Sequence, residues 1–468
     1  MESKSPENAL HPEVTPPVRP GGTEISRRLV EDVLDWLEDE RDSRYGGFGH
    51  ESKSLDAFPL LLLLWSGTWG FGKRSKLAIH TLKAACASGI RDRIEDGFFH
   101  YAEKRDWSSP HYEKLLSDNA WLTQCFLVAN AISGLSEFAT AASETAGYMD
   151  TVLWLADRGF YGSVQEADAD YYGEDVEGRR RRAAPPVDRT VYSNWNALAA
   201  SSKILLAWQT GDSRHGDRAL QVVDGLMENM IEARGACNHY WAEGKKPQLT
   251  GHLSDYALVS LALGEAYQYT QDSTYLETML LVLRFCAENL KAPDGTFYDV
   301  THSDERPPVV APTNLRAQCN ALLATSFLMA ASLTEDASYT DTAATILEGL
   351  GAPAAANDPA VALATGVLLR PVSVICESRD SELALWAKTR FLPGLVLRYH
   401  DEAGQEAMVC TGGRCLKPAS SRQQLSDQLS KIYSLRERVE YLAEFKEMIE
   451  PVHRPSREQP ERPEHQLH

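Results

Sequence analysis

The chain of 468 residues carries 66 acidic against 47 basic side chains, a net charge of −19, which excludes phosphate-backbone binding because that needs a basic face. Eight cysteines in a chain of this length do not form a disulfide framework, and the polar, proline-rich residues 1–22 contain no apolar signal segment. The longest apolar run, Phe58 to Trp65, is too short to cross a bilayer, so the expectation is a soluble protein in a reducing, cytoplasmic home, with no nucleic-acid or membrane partner.

Residues 1–22 read as a disordered leader, since prolines and charges cannot build a core. Apolar residues spaced three and four apart then predict helices over 24–41, 55–70, 73–92, 111–132, 135–157, 195–210, 213–234, 253–270, 273–292, 315–334, 336–350 and 358–369. Recurrent Gly-aromatic turns punctuate them: Gly46-Gly47-Phe48, Gly97-Phe98-Phe99, Gly159-Phe160-Tyr161, a degenerate His239-Tyr240-Trp241, and Gly295-Thr296-Phe297-Tyr298. Buried and amphipathic helices alternate between these turns, with no convincing strand. Periods of this size mark repeated supersecondary units. The fold class expected is therefore all-α: an (α/α)6 toroid of six helical hairpins over residues 23–370, the more apolar helices inside.

The pattern changes at Pro371. Val372 to Ile375, Gly394 to Tyr399 and Ala407 to Val409 predict short strands, with a turn over 402–405, in a small α/β appendage over 371–420. A charged tail helix over 421–450 carries an apolar stripe that includes Leu425, Leu429 and Ile432, which suits packing on the domain or a homodimer or protein partner. Residues 451–468 read as a disordered tail. Cys86, Cys125, Cys286 and Cys319 fall in apolar helical runs and read as core. Cys410 and Cys415 lack the spacing of a zinc site or a redox pair. The basic run Arg179 to Arg182, flanked by Glu174, Asp175 and Glu177, reads as a solvated loop.

Chemistry-bearing residues gather where loops lead into helices. Pro110 suits a first helical turn, and His111, Lys114 and Asp118, three and four apart, would then share one helix face, with Glu113 beside them. Lys53 precedes the second helix. Glu166, Asp168 and Asp170 follow the Gly159 turn, and Asp188, Trp195 and Asn196 lead the sixth helix. His252, Asp255 and Tyr256 open the eighth, and Asn314 and Asn320 the tenth. Rings beside carboxylates and amides suit a polyhydroxylated ligand, and a His–carboxylate pair supplies acid and base. Each residue alone has an ordinary structural reading, Trp195 as core and Asn196 and Asp255 as caps. No Ser-His-Asp order, phosphate-binding glycine loop or HExxH motif is present, and no cofactor or metal is expected.

With those residues in view, the chain resembles the spermatogenesis-associated protein 20 family, whose members join an N-terminal thioredoxin-like domain to a six-hairpin toroid similar to that of N-acylglucosamine 2-epimerases. The stretch Pro110-His111-Tyr112-Glu113-Lys114-Leu115-Leu116 with Asp118-Asn119-Ala120 looks like the family's PHFEKMLYDQA signature. Gly46-Gly47-Phe48-Gly49 with Lys53, Gly159-Phe160-Tyr161 with Asp168, Trp195-Asn196, Asp255-Tyr256-Ala257, Asn320 and the Cys410/Cys415 segment match further family motifs in order over about 25–420. The thioredoxin-like domain has no counterpart, so no redox activity is carried over. Phe99 and His100 stand where the family has His and Arg, Lys104 stands for an Asp, and Ser254 for a Glu.

The resemblance implies an enzyme acting on a sugar or similar small polyhydroxylated or cyclic metabolite by acid/base proton transfer, isomerase- or epimerase-like, in the barrel mouth. His111 would be base or acid, with Glu113 or Asp168 as its partner. Lys114 and Asp118 would orient it, and Lys53, Trp195, Asn196, Asp255, Tyr256 and Asn320 would bind substrate. Hydrolysis by paired carboxylates, and a barrel that has lost its chemistry and serves as a scaffold, are the alternatives.

Overall fold

The computed structural model describes residues 25–71, 74–300, 313–351, 355–400 and 406–433. Its ring is built from α1 (Arg27–Asp39), α2 (Ala57–Ser66), α3 (Ser75–Ala87), α4 (Leu116–Ser133), α5 (Ser136–Tyr148), α6 (Ser193–Thr210), α7 (Ser213–Asn229), α8 (Leu253–Thr270), α9 (Ser273–Asn289), α10 (Thr313–Thr334), α11 (Ala337–Gly349) and α12 (Pro359–Leu369). The even-numbered helices are the apolar ones. Leu60 to Leu64 of α2 and Ala360 to Ala364 of α12 are all buried, as helices surrounded by protein require. The odd-numbered ones bury only a stripe, such as Val30, Val33, Leu34 and Leu37 of α1.

Each inner helix packs on the next, α2 on α4, then α6, α8, α10 and α12, and α12 returns to α2. The toroid is closed. Its hairpins are α2/α3, α4/α5, α6/α7, α8/α9 and α10/α11, while α1 seats on α12 at the far end of the chain. The pairing is thus offset by one helix from simple sequence order, and the first helix supplies the outer layer of the last inner one.

The two ends of the ring differ. Inner helices pass to outer ones through two-residue hops, Gly134–Leu135, Gly211–Asp212, Gln271–Asp272 and Glu335–Asp336, each with a first residue at positive φ. The aspartates then cap the following helix; Asp212, Asp272 and Asp336 accept from the backbone N–H two residues on. The long connections 40–56, 88–115, 149–192 and 230–252, and the described residues 290–300, lie between an outer helix and the N-terminus of an inner one. They gather at one mouth.

Short strands rim that mouth, where none had been expected. Lys53–Ser54 pairs with Tyr101–Ala102 and that with Pro110–His111; Lys114–Leu115 pairs with Val164–Gln165; Asn238–Trp241 lies between Val191–Tyr192 and Gln248–Thr250. Runs of two to four residues are too short to show alternation. They also correct the expected start of the fourth helix: α4 begins at Leu116, and Pro110 and His111 belong to the strand ladder. The fourth Gly-aromatic turn is displaced as well. Its equivalent is Gly235-Ala236-Cys237, bridged to Ile231, and His239 to Trp241 lie in a strand.

The opposite end is covered by the appendage. Val372–Cys376 pairs parallel with Leu395–Tyr399 and antiparallel with Met408–Thr411, and α13 (Glu382–Lys388) makes the crossover. Trp65 Nε1 donates to Phe391 O (2.9 Å), and Gln268 Oε1 accepts from Leu397 N (2.9 Å). A further helix, α14 (Arg422–Leu429), buries Leu425 and Leu429. The rest of the expected tail helix, the leader, the disordered tail and the 402–405 turn lie outside the described residues. Cys410 and Cys415 face each other across the Met408–Thr411/Arg414–Cys415 hairpin and are joined by a disulfide, a pairing their spacing had not suggested. Cys125, Cys286 and Cys319 are buried, and Cys86 is half-buried. Among the described residues no helix is long and apolar enough to cross a membrane.

Candidate functional site

Four turns leading to the mouth are held by side chains from the first part of the inner helices α4, α6, α8 and α10. Asn119 Oδ1 accepts from Phe98 N (2.8 Å) while its Nδ2 donates to Phe98 O (3.1 Å) and Leu115 O (2.9 Å). Asn196 does the same for Tyr161 (2.8 and 3.1 Å), and Asn320 for Phe297 (2.8 and 3.0 Å). In α8 the corresponding place is taken by Tyr256, whose hydroxyl accepts from Cys237 N (3.4 Å). All four side chains are fully buried. Asn196, Asn320 and Tyr256, expected to bind substrate, fasten backbone instead.

Two lysines expected in the site are also interior. Asp42 and Asp92 each follow the end of an outer helix by a few residues. Lys53 Nζ lies 3.0 Å from Asp42, and Arg105 closes a triad at 2.6 Å. Lys114 Nζ lies 2.6 Å from Asp92, and Arg179 closes the second triad at 2.8 Å. Burial alone would raise both carboxyls, but the cations hold them below the usual carboxylate range. Lys114 is further boxed by the rings of Tyr148 (4.6 Å), Tyr172 (5.1 Å) and Phe99 (5.3 Å). Arg179 is therefore not part of a solvated loop; it is 7% exposed, and only Arg180 to Arg182 face out.

The remaining polar groups sit at the mouth itself. His239 Nδ1 lies 3.0 and 3.2 Å from the two Asp255 oxygens. Asp255 is fully buried and also accepts from Asn194 N (3.2 Å). Burial pushes its carboxyl up to about 6 against the pull of His239. The His239 ring stacks on His252 at 4.2 Å and packs beside Tyr192 at 5.3 Å. With Nδ1 engaged by the carboxylate, Nε2 is the nitrogen left to handle a proton.

A second cluster lies on the approach to α4. His100 Nδ1 lies 2.7 Å from Asp118 Oδ2, and this bond raises the imidazole above its ordinary value. His111 Nδ1 is 3.5 Å from Glu113 Oε2, and its ring stacks on Tyr101 at 5.0 Å. Both members of that pair are more than a third exposed. Asp168 caps a short helix, accepting from Tyr171 N at 2.8 Å, and Tyr172 of that helix stacks on Tyr112 at 5.4 Å. Asp118, Trp195 and Asp255 hold the same third position of α4, α6 and α8, so they line successive staves of the ring. Phe58 and Trp121 meet just inside, with ring centroids 5.3 Å apart. Asp56, which caps α2, is raised by burial and by the nearby charge of Asp118.

In the sequence His239 falls in a segment that resembles a degenerate Gly-aromatic turn, and His100 stands out only as a departure from a family motif, so neither signals a site by itself. Among the described residues no group of three or more His, Cys, Asp or Glu side chains is placed to hold a metal ion.

Over 142 residues the chain is 34% identical to spermatogenesis-associated protein 20 of Rattus norvegicus, and 32% identical to that of Homo sapiens. The chain resembles spermatogenesis-associated protein 20. The matched stretch is 28% of this chain and 17% of those relatives, so the likeness spans about a sixth of their length. No family model matches. The fold is shared with a sugar epimerase from a ruminal bacterium (TM-score 0.56, 13% identity, 69% of this chain and 85% of that one) and cellobiose 2-epimerase from Bacillus thermoamylovorans (0.54, 11%, 68% and 85%). It is also shared with a family 76 glycoside hydrolase, a mannosidase, from Bacteroides thetaiotaomicron (0.53, 10%, 73% and 97%). What these structures share with this chain is the six-hairpin toroid.

Proposed function

We propose that this chain is an enzyme that moves a proton on a sugar or a similar small polyhydroxylated molecule at the barrel mouth, in an isomerase- or epimerase-like reaction. The observation that carries this reading is the buried Asp255 holding His239 Nδ1 at 3.0 Å, with His252 stacked on the same ring. A carboxylate that fixes the tautomer and orientation of an imidazole leaves Nε2 as a base. Isomerisation and epimerisation need a group to take a proton and a group to return it. His252, or the His100–Asp118 and His111–Glu113 pairs across the mouth, would serve as the second group. Trp195, flanked by these clusters, would stack on the apolar face of a ring. The sugar-epimerase fold supports the substrate class, and a cytoplasmic location is proposed with it.

The test is solvent-deuterium incorporation into a panel of reducing sugars, followed by NMR. His239→Ala is expected to lower turnover by about 10²- to 10⁴-fold, and His111→Ala by less. Unchanged turnover in both variants would remove the assignment. Failure of every sugar to exchange in the wild-type chain would favour the scaffold reading. Hydrolysis by paired carboxylates is supported by the effect of the Asp118 charge on the buried Asp56 carboxyl; release of reducing ends from mannosides without deuterium exchange would select it.

A further inference from the structure

Below the mouth, the ring encloses a cavity of about 220 Å³. It runs along the inner faces of α2, α4, α6, α8, α10 and α12 and is closed at the far end by Lys388, Phe391 and Leu392 of the appendage. Its wall is mainly hydrocarbon and aromatic, with Phe58, Trp65 and Trp121 among the lining side chains. That surface is unsuited to a sugar, whose hydroxyls would find few partners.

The lining also holds Gln124, Thr325 and Ser332, and two ionisable groups break the apolar wall. Glu265, from the middle of α8, accepts from the Ser201 hydroxyl through its carboxyl, yet its Oε2 is buried without any hydrogen-bond partner. Lys388 enters from α13, with Nζ 4.4 Å above the Trp208 ring. Burial raises the carboxyl and lowers the ammonium to about 8, while each opposes the shift of the other. With Glu265 as a carboxylate and Lys388 as an ammonium the pair is neutral overall. A charged ligand would bring an uncompensated charge into low dielectric. An orphaned acceptor in an apolar cavity asks for one donor.

We propose that this cavity binds a neutral, mostly hydrocarbon molecule bearing one hydroxyl group, which donates to Glu265 Oε2. The apolar wall supplies the affinity, and the single hydroxyl supplies orientation. The appendage is then one wall of a binding site.

The experiment is isothermal titration of the full chain with 1-naphthol, naphthalene and 1-naphthoate. One saturable site for 1-naphthol is expected, with naphthalene bound about 5- to 10-fold more weakly for want of the donor and the anion weaker still. Absence of saturable naphthol binding, equal affinity for naphthalene, or tighter binding of naphthoate would each overturn the proposal. In the double variant Glu265→Leu with Lys388→Met, the preference for naphthol over naphthalene is expected to vanish while both still bind. A preference that survives there would show that Glu265 is not the acceptor. Should that variant fail to fold, the three wild-type titrations decide alone.

Discussion

Asp255 is a carboxylate pulled two ways, by burial that favours its proton and by His239 that favours its charge. The net shift is upward, from an ordinary 3.8 to about 6. The folded chain therefore holds this proton over a window in which the unfolded chain has released it, so this group's contribution to stability falls as pH rises from about 4 to about 6 and is flat above. Turnover should move the opposite way, rising through pH about 6 as the carboxylate forms and fixes the imidazole. Asp255→Asn is expected to remove that acidic limb from the rate profile and to flatten the stability slope, measured by denaturant titration at pH 4.5 and 7.5. Asn196 illustrates how a residue can be correctly noticed and differently employed. Its type and place at a helix start were visible, and they fit both a cap and a ligand contact. Only the backbone of Tyr161, 35 residues upstream, decides between them. Asn196→Ala leaves that buried N–H and C=O unmatched and is expected to cost about 2–4 kcal/mol of stability, with the same loss whether or not a sugar is present.

At the scale of elements, the two triads repeat one arrangement: an Asp after an outer helix, a Lys from the following strand and an Arg from further along. The carboxylates and lysines were legible as charges, but their pairing was not, because Arg105 lies 63 residues from Asp42 and Arg179 lies 87 from Asp92. No local period encodes such a distance, which is why Lys53 and Lys114 passed for ligand contacts. Removing Lys114 leaves Asp92 to Arg179 alone and takes away a buried charge-assisted bond, a loss of about 1.5–3 kcal/mol. Lys114→Met is expected to lower the denaturation midpoint accordingly and to leave KM unchanged, whereas a substrate-binding lysine would raise KM with little loss of stability. The short rim strands escaped notice for a related reason. Two residues carry no alternation, and the Pro110 that heads a helix on paper sits in a ladder beside Tyr101–Ala102.

For the molecule as a whole, the six-hairpin ring was readable because the same apolar period and the same turn recur along the chain. The offset in the pairing was not, since nothing near Arg27 announces that α1 belongs against α12. Val30, Val33, Leu34 and Leu37 are buried in that seat. Deleting Arg27–Asp39 would bare the outward face of α12, and the expected result is loss of a single cooperative melt by circular dichroism and a shift to aggregates on size exclusion. An intact, monomeric melt after the deletion would contradict the assigned seat.

That same seat imposes an order on biosynthesis. The helix translated earliest in the ring must wait, with its greasy stripe unsheltered, until nearly the whole barrel has left the ribosome and α12 can receive it. Contacts between such distant stretches slow folding and prolong exposure of sticky surface, so this protein should lean on chaperones during its birth far more than its marginally sized individual hairpins would.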